Sequence, residues 1–151
     1  ISKITGKRFI DLDSYIESTT NQTISKIFSS KGEVYFRKIE SDSLKLIMSK
    51  YDNIILSLGG GTPCYSNNLA LIKDSKSFFL KYSIEVLSKR LINIKSSRPI
   101  LSNINNIDSM NDYIAKHLFE RNYYYNQALN VIQCDLKNQE EIANEIVNLS
   151  S

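Results

Sequence analysis

At 151 residues the chain can bury a real core as one domain, and 42% hydrophobic content marks it as globular rather than disordered. A net charge of +3 admits an anionic ligand but not the broad basic face of a nucleic-acid binder. No apolar run approaches the roughly 18 residues of a membrane span. No secretory pattern opens the chain, and Cys64 and Cys134 match no metal spacing, so a reduced, cytoplasmic protein is expected.

The first predicted element is a short buried strand in "KRFIDLD" (Lys7 to Asp13), ending in two acids. If that strand runs on, Asp11 and Asp13 point to the same side. Two close carboxylates suit a magnesium site or a hydroxyl acceptor, although acids that solvate a strand end and open the next helix are the commoner arrangement. In "IFSSKGEVYFRKIE" (Ile27 to Glu40), Arg37 sits among apolar residues. Glu40 could hold it if the segment is helical. Arginine suits a planar carboxylate, which it grips with two parallel hydrogen bonds, although a surface ion pair is the commoner arrangement. Leu44, Ile47, Met48 and Tyr51 then fall on one helical face.

A second strand, "NIILSLGGG", ends in Gly59, Gly60 and Gly61, three of the chain's five glycines. Glycines at a strand end allow positive φ and let a ligand approach the backbone. Taken alone they fit a ligand-binding loop and a plain tight turn equally. The pattern G-x-x-x-x-G-K-[ST] of a phosphate loop does not occur in these residues. "KSFFLKY" (Lys76 to Tyr82) is a third strand, followed by the helical spacing of Ile84, Leu87, Leu91 and Ile94. Residues 96–109 carry Pro, Asn and Ser with weak periodicity, the length and composition of a lid. "ERNYYYNQA" (Glu120 to Ala128) places Arg121 one turn before Tyr124 and Tyr125. "NVIQCD" (Asn130 to Asp135) is a fourth strand, and a capping box from Asn138 to Glu141 opens a last helix through Ile142, Ile146 and Leu149. His117, the single histidine, reads as a packing or surface residue, and Cys64 as structural.

Strands alternating with helices predict an α/β fold with a parallel sheet covered on both faces and a ligand site beyond the carboxyl ends of its strands. The acids of "FIDLD" and the glycines of "LSLGGG" both fall there.

In order and approximate spacing, "FIDLDSYIE", "IFSSKGEVYFRKIE", "IILSLGGG", "RPIL" and "ERNYYYNQA" resemble the shikimate kinases, over a span from Gly6 to about Asp135. The resemblance implies a P-loop kinase-like three-layer sandwich, a parallel sheet flanked by helices, in a single domain over 1–151. It implies ATP-dependent transfer of a phosphoryl group to shikimate with Mg2+, by a monomer that binds neither nucleic acid nor membrane. Residue by residue, Asp11 matches the acid that helps hold magnesium, through water. Asp13 matches the catalytic acid that binds the shikimate hydroxyls and accepts a proton. Arg37 and Arg121 match the pair that clamps the shikimate carboxylate, with Glu40 orienting Arg37. Gly59, Gly60 and Gly61 match the glycines lining the substrate ring, where a side chain would occupy the substrate's space. Arg98, in the lid, matches the catalytic arginine that reaches the ATP phosphates, and Arg90 an arginine near adenine. Ile100 replaces the usual leucine of R-P-L-L.

The family also carries a first, central strand followed by a phosphate loop. The opening "ISKITGKRF" resembles the end of the helix after that loop, and "TGKR" is a poor substitute for it. The sequence therefore reads as lacking roughly twenty N-terminal residues. A gap is expected between the "LSLGGG" and "KSFFLKY" strands, with poor stability and no kinase activity for residues 1–151 alone. Two alternatives stand beside a shikimate kinase: another small-molecule kinase of the same fold, and a non-catalytic shikimate-binding remnant without the phosphate loop.

Overall fold

The structure is a computed structural model that describes residues 1–94, 104 and 106–150. Most of the lid expected at 96–109, with Arg98, lies outside the described residues. Its last three residues belong to a helix, because the Asn106 side chain accepts a hydrogen bond from the Ser109 amide at 2.8 Å and caps a helix that begins at Ile107.

The chain groups into two compact units, Ile1–Ser77 with Val147–Ser151, and Phe78–Ile146. The first unit opens with a single helical turn, α1 (Ser2–Thr5), closed by Gly6 in the left-handed conformation. Strand β1 (Phe9–Asp11) runs directly into helix α2 (Leu12–Thr20). Helix α3 (Ile24–Lys50) starts at Thr23, whose side chain accepts from the Lys26 amide. Gly32 breaks it with φ 79° and ψ 174°, a conformation that favours glycine. Strand β2 (Ile55–Ser57) lies parallel to β1, pairing Phe9 with Ile55 and Asp11 with Ser57. A 3₁₀ turn (Thr62–Cys64) and helix α4 (Asn68–Ile72) follow.

Helices α2 and α3 close over the strand pair. Ile10, Leu12, Ile16, Ile27, Phe36, Leu44 and Ile47 form a buried cluster, with Met48, Tyr51, Ile54 and Leu56 packed around it. The expected face Leu44–Ile47–Met48–Tyr51 is thus the face α3 buries. Each fully buried aliphatic side chain contributes roughly 1.5–3 kcal/mol of transfer free energy.

In the second unit, β3 (Phe78–Lys81) pairs in parallel with β4 (Asn130–Gln133). Helix α5 (Ile84–Ile94) packs Leu87 and Leu91 against Met110 and Ile114 of α6 (Ile107–Tyr125). Helix α7 (Gln139–Ser150) begins with the expected reciprocal cap. The Glu140 and Glu141 amides donate to Asn138 Oδ1, and the Asn138 amide donates to Glu141 Oε2.

All four predicted strands are present and both pairings are parallel, with helices against them. The α/β class follows. Among the described residues the strands form two separate pairs, with no hydrogen-bonded ladder joining β2 to β3.

Candidate active site

The acids of "FIDLD" do not share one strand. Asp11 ends β1 and Asp13 stands in the first turn of α2, because Asp11 takes extended dihedrals and accepts the Ser14 amide at 2.9 Å as the helix cap. That bond, with help from the Ser57 and Ser14 side chains, holds the Asp11 carboxyl below its ordinary range against a smaller opposing effect of burial. Asp13 moves the other way. Burial, then the negative charges of Asp11, Glu40 and Glu17, push its pKa up, and Arg37 only partly offsets them. The two adjacent carboxyls are displaced in opposite directions, so Asp11 gives up its proton more readily than Asp13.

One turn of α3 brings Arg37 and Glu40 together. Arg37 Nη1 donates to Glu40 Oε2 at 2.9 Å, and Glu33 Oε1 accepts from Nε and Nη2 at 3.3 and 3.2 Å. The guanidinium carbon lies 4.0 Å from the centre of the Tyr65 ring. Burial opposes the charge on Arg37, but the bonds to Glu40 and Glu33 outweigh it and raise its pKa. Glu40 is 1% exposed and its second oxygen accepts from Thr62 Oγ1 at 2.8 Å.

The glycine loop lies directly on this group. A Cβ at Gly61 would stand 2.7 Å from both Arg37 Nη atoms. One at Gly59 would stand 3.3 Å from Thr62 Oγ1 and 3.4 Å from Asp13 Oδ1. Gly61 has φ −86°, and Gly59 is likewise outside the positive-φ region, so a side chain at either would meet crowding and not backbone strain: at Gly61 the end of the Arg37 side chain would have to shift, and at Gly59 its neighbours would have to give slightly. Sequence reasoning placed the substrate above these glycines; the structure adds the Arg37 guanidinium packed against one of them.

Asp11, Asp13, Arg37, Glu40, Gly59 and Gly61 therefore meet in one unit. Tyr65 and Thr62, which sequence reasoning missed, belong with them; the signal was their place within the turn that follows the glycines. Groove space of about 590 Å³ opens beside Arg37, lined also by Val34, Lys38, Tyr65 and Ser66. In the second unit, Arg121 is half-buried on α6, and its charge is second to burial in lowering the pKa of His117, whose ring packs 4.3 Å from Tyr113. Arg90, on α5, lies over the Tyr82 ring at 4.3 Å. Cys64 is partly exposed in the turn and Cys134 is buried.

Magnesium keeps several waters and needs only one or two protein carboxylates beside phosphate oxygens. Among the described residues no three His, Cys, Asp or Glu side chains gather as a metal cage. The ionised Asp11, at the carboxyl end of a strand with the helix-cap bond on Oδ1, fits contact with a hydrated ion.

Two expected outcomes test this geometry without any ligand. Asp11→Ala loses the cap and about 1 kcal/mol of stability, whereas Asp11→Asn keeps the cap and most of the stability while losing the charge. The Asp11 contribution is present above the ordinary aspartate range and fades as pH falls through its lowered value, so urea midpoints of the Ala variant and the parent converge in acid. Gly61→Ala costs roughly 1–3 kcal/mol through overpacking on Arg37. In an Arg37→Ala background most of that cost disappears, which a double-mutant cycle in urea measures.

A family model described as "Shikimate kinase" matches residues 1–150. The chain is 42% identical over 151 residues to a shikimate kinase of Flavobacterium johnsoniae, covering 99% of this chain and 87% of that protein. It is 43% identical over 148 residues to one of Flavobacterium psychrophilum, covering 97% and 86%. Among solved structures, a shikimate kinase from Bacteroides thetaiotaomicron matches with a TM-score of 0.86 at 32% identity, over 99% of this chain and 85% of that one. A shikimate kinase from Acinetobacter baumannii in complex with shikimate matches with a TM-score of 0.76 at 27% identity, over 99% and 79%. On these similarities the chain belongs to the shikimate kinase family and is, by that membership, an ATP-dependent kinase of the transferase class.

Proposed function

We propose that this protein transfers the γ-phosphoryl group of ATP to the 3-hydroxyl of shikimate, giving shikimate 3-phosphate for chorismate and aromatic amino acid synthesis. The observation that carries the reading is one local arrangement. A single guanidinium, fixed by the buried Glu40 and backed by Tyr65, lies against a side-chain-free glycine loop beside a carboxylate with a raised pKa. Shikimate is a compact ring bearing one carboxylate and several hydroxyls, the complement of that arrangement.

In this mechanism Arg37 grips the substrate carboxylate, with Arg121 as its second clamp. The backbone of Gly59, Gly60 and Gly61 faces the ring. Asp13 accepts the attacking hydroxyl's hydrogen bond and takes its proton as the O–P bond forms and the bond to the ADP leaving oxygen breaks. Its raised pKa makes it a stronger base than an ordinary aspartate. Arg98 meets the transferring phosphate and Arg90 the adenine. Asp11 would hold magnesium through water; when bound, the ion supplies neutralising charge to the ATP phosphates. We take it to act as a monomer in the reducing cytoplasm, with Cys64 and Cys134 outside any disulfide. The described residues contain no helix long and apolar enough to cross a membrane.

A substrate panel tests the assignment. With ATP and magnesium, and with a phosphate loop present, shikimate is phosphorylated while nucleoside monophosphates and carboxylate-free polyols are not. Preference for a substrate without a carboxylate would overturn it, because Arg37 would then have no partner.

A further inference from the structure

Thr62 is fully buried in the turn after the glycines and donates its only hydroxyl proton to Glu40 Oε1 at 2.8 Å. Glu40 is itself 1% exposed, and its other oxygen, Oε2, takes Arg37 Nη1 at 2.9 Å. Each carboxylate oxygen therefore has a different partner. The Thr62 bond fixes the rotation of the carboxylate and so the place where Arg37 is held. Thr62 is anchored in turn: its amide donates to the Gly59 carbonyl at 3.0 Å, and its carbonyl accepts from Nδ2 of the fully buried Asn68 at 2.8 Å. The missing Cβ of Gly59, which would stand 3.3 Å from Thr62 Oγ1, leaves room for the hydroxyl.

We infer that Thr62 is a positioning residue for acceptor binding, setting the Arg37 guanidinium through Glu40; the inference rests on the reading of Arg37 as the grip on the substrate carboxylate. Thr62 is fully buried and offers no exposed atom to a substrate. Without its hydroxyl, Glu40 Oε1 is left buried and unpaired, and the carboxylate turns that oxygen towards the guanidinium, its nearest remaining source of donors. Arg37 is then drawn from its seat over Tyr65, and the guanidinium that reads the substrate carboxylate moves as a whole. A bidentate contact tolerates such a shift poorly.

The test compares Thr62→Val, which keeps the shape and loses the hydroxyl, with Thr62→Ser, which keeps the hydroxyl. Shikimate affinity is measured by calorimetry. The Arg37 Nε–H resonance, assigned from its absence in Arg37→Lys, is followed by NMR. Thr62→Val is expected to weaken shikimate binding about tenfold, or ~1.4 kcal/mol, and to shift or broaden the Arg37 resonance. Thr62→Ser is expected to bind within about threefold of the parent and to keep the parent resonance. Valine binding as well as the parent with an unshifted resonance overturns the inference, as does serine losing as much as valine. If the valine variant does not fold, the serine variant decides by the same criterion. If the parent itself binds no shikimate, the reading of Arg37 as the substrate grip fails, while the resonance comparison still decides whether Thr62 sets Arg37.

Discussion

Arg37→Ala is expected to weaken shikimate binding by about 2–5 kcal/mol, the range for removing one partner of a desolvated charged contact, with little change in affinity for ATP. The size follows from what is left behind. The substrate carboxylate loses a donor that is already oriented, so no part of the binding energy goes to arranging it. Stability falls as well, because the alanine leaves Glu40, 1% exposed, with Thr62 as its remaining hydrogen-bond partner. Breaking a buried pair from one side costs roughly 3–5 kcal/mol. The partial exposure of Arg37 and the company of Glu33 place this case at or below the lower end. The two effects separate experimentally. Arg37→Ala combined with Glu40→Gln regains stability, since no buried charge is stranded, but does not regain shikimate affinity. Arg37→Lys keeps the charge and loses the fork, so its affinity falls between the two. Calorimetry and urea denaturation on the same samples give both quantities. Unchanged shikimate affinity in Arg37→Ala would remove the residue from the site.

Asp13→Asn is expected to lower turnover by about 10²–10⁴-fold, the usual range for a lost general base, while raising stability at neutral pH. The sign follows from its raised pKa. A carboxyl whose pKa is higher in the folded protein than in the unfolded chain favours folding in its protonated form. That advantage is complete below the ordinary aspartate range and is lost as pH rises through the folded value. Above that value the charge on Asp13 opposes folding, and asparagine relieves it. For a chain of this size each kcal/mol regained raises Tm by roughly 2–4 °C. The gain should vanish in acid, where Asp13 is protonated in both states. The rate of the parent should fall as pH drops through the raised value, so its acid limb lies above the range of an ordinary aspartate. Thermal scans across pH, with phosphorylation of shikimate followed in a protein that also carries the phosphate loop, check both halves. An asparagine variant less stable than the parent at pH 7 would contradict the electrostatic account of Asp13.

Both predictions rest on contacts that the sequence disclosed unevenly. The pairing of Arg37 with Glu40 was legible because i and i+3 on a helix are neighbours whatever surrounds them. The buried face of α3 was legible for the same reason, and so was the cap at Asn138, which needs only local residues. Two arrangements stood open for Asp11 and Asp13, a running strand and the start of a helix, and the structure takes the second; the "D-x-D-S" pattern alone does not fix where extended backbone ends. Glycine at positions 59 and 61 was tied to close approach of a ligand; in the structure the groups that stand close are the protein's own, Arg37 at 61 and Thr62 and Asp13 at 59. Those contacts depend on long-range packing of α3 against the turn after the glycines, which no local pattern carries. Thr62 and Tyr65 stayed hidden for that reason: their partners Glu40 and Arg37 lie more than twenty residues back along the chain.

The central claim is that Arg37, fixed by Glu40 against the glycine loop, forms a carboxylate-reading acceptor site. Calorimetric titration of the protein with shikimate, and in parallel with its methyl ester, tests this most directly. The ester keeps the ring and every hydroxyl, removes the negative charge and adds one methyl group. Shikimate is expected to bind and the ester to bind at least a hundredfold more weakly, a loss of about 2.7 kcal/mol, with the difference shrinking sharply in Arg37→Ala. Equal affinity for acid and ester in the parent protein would contradict the account.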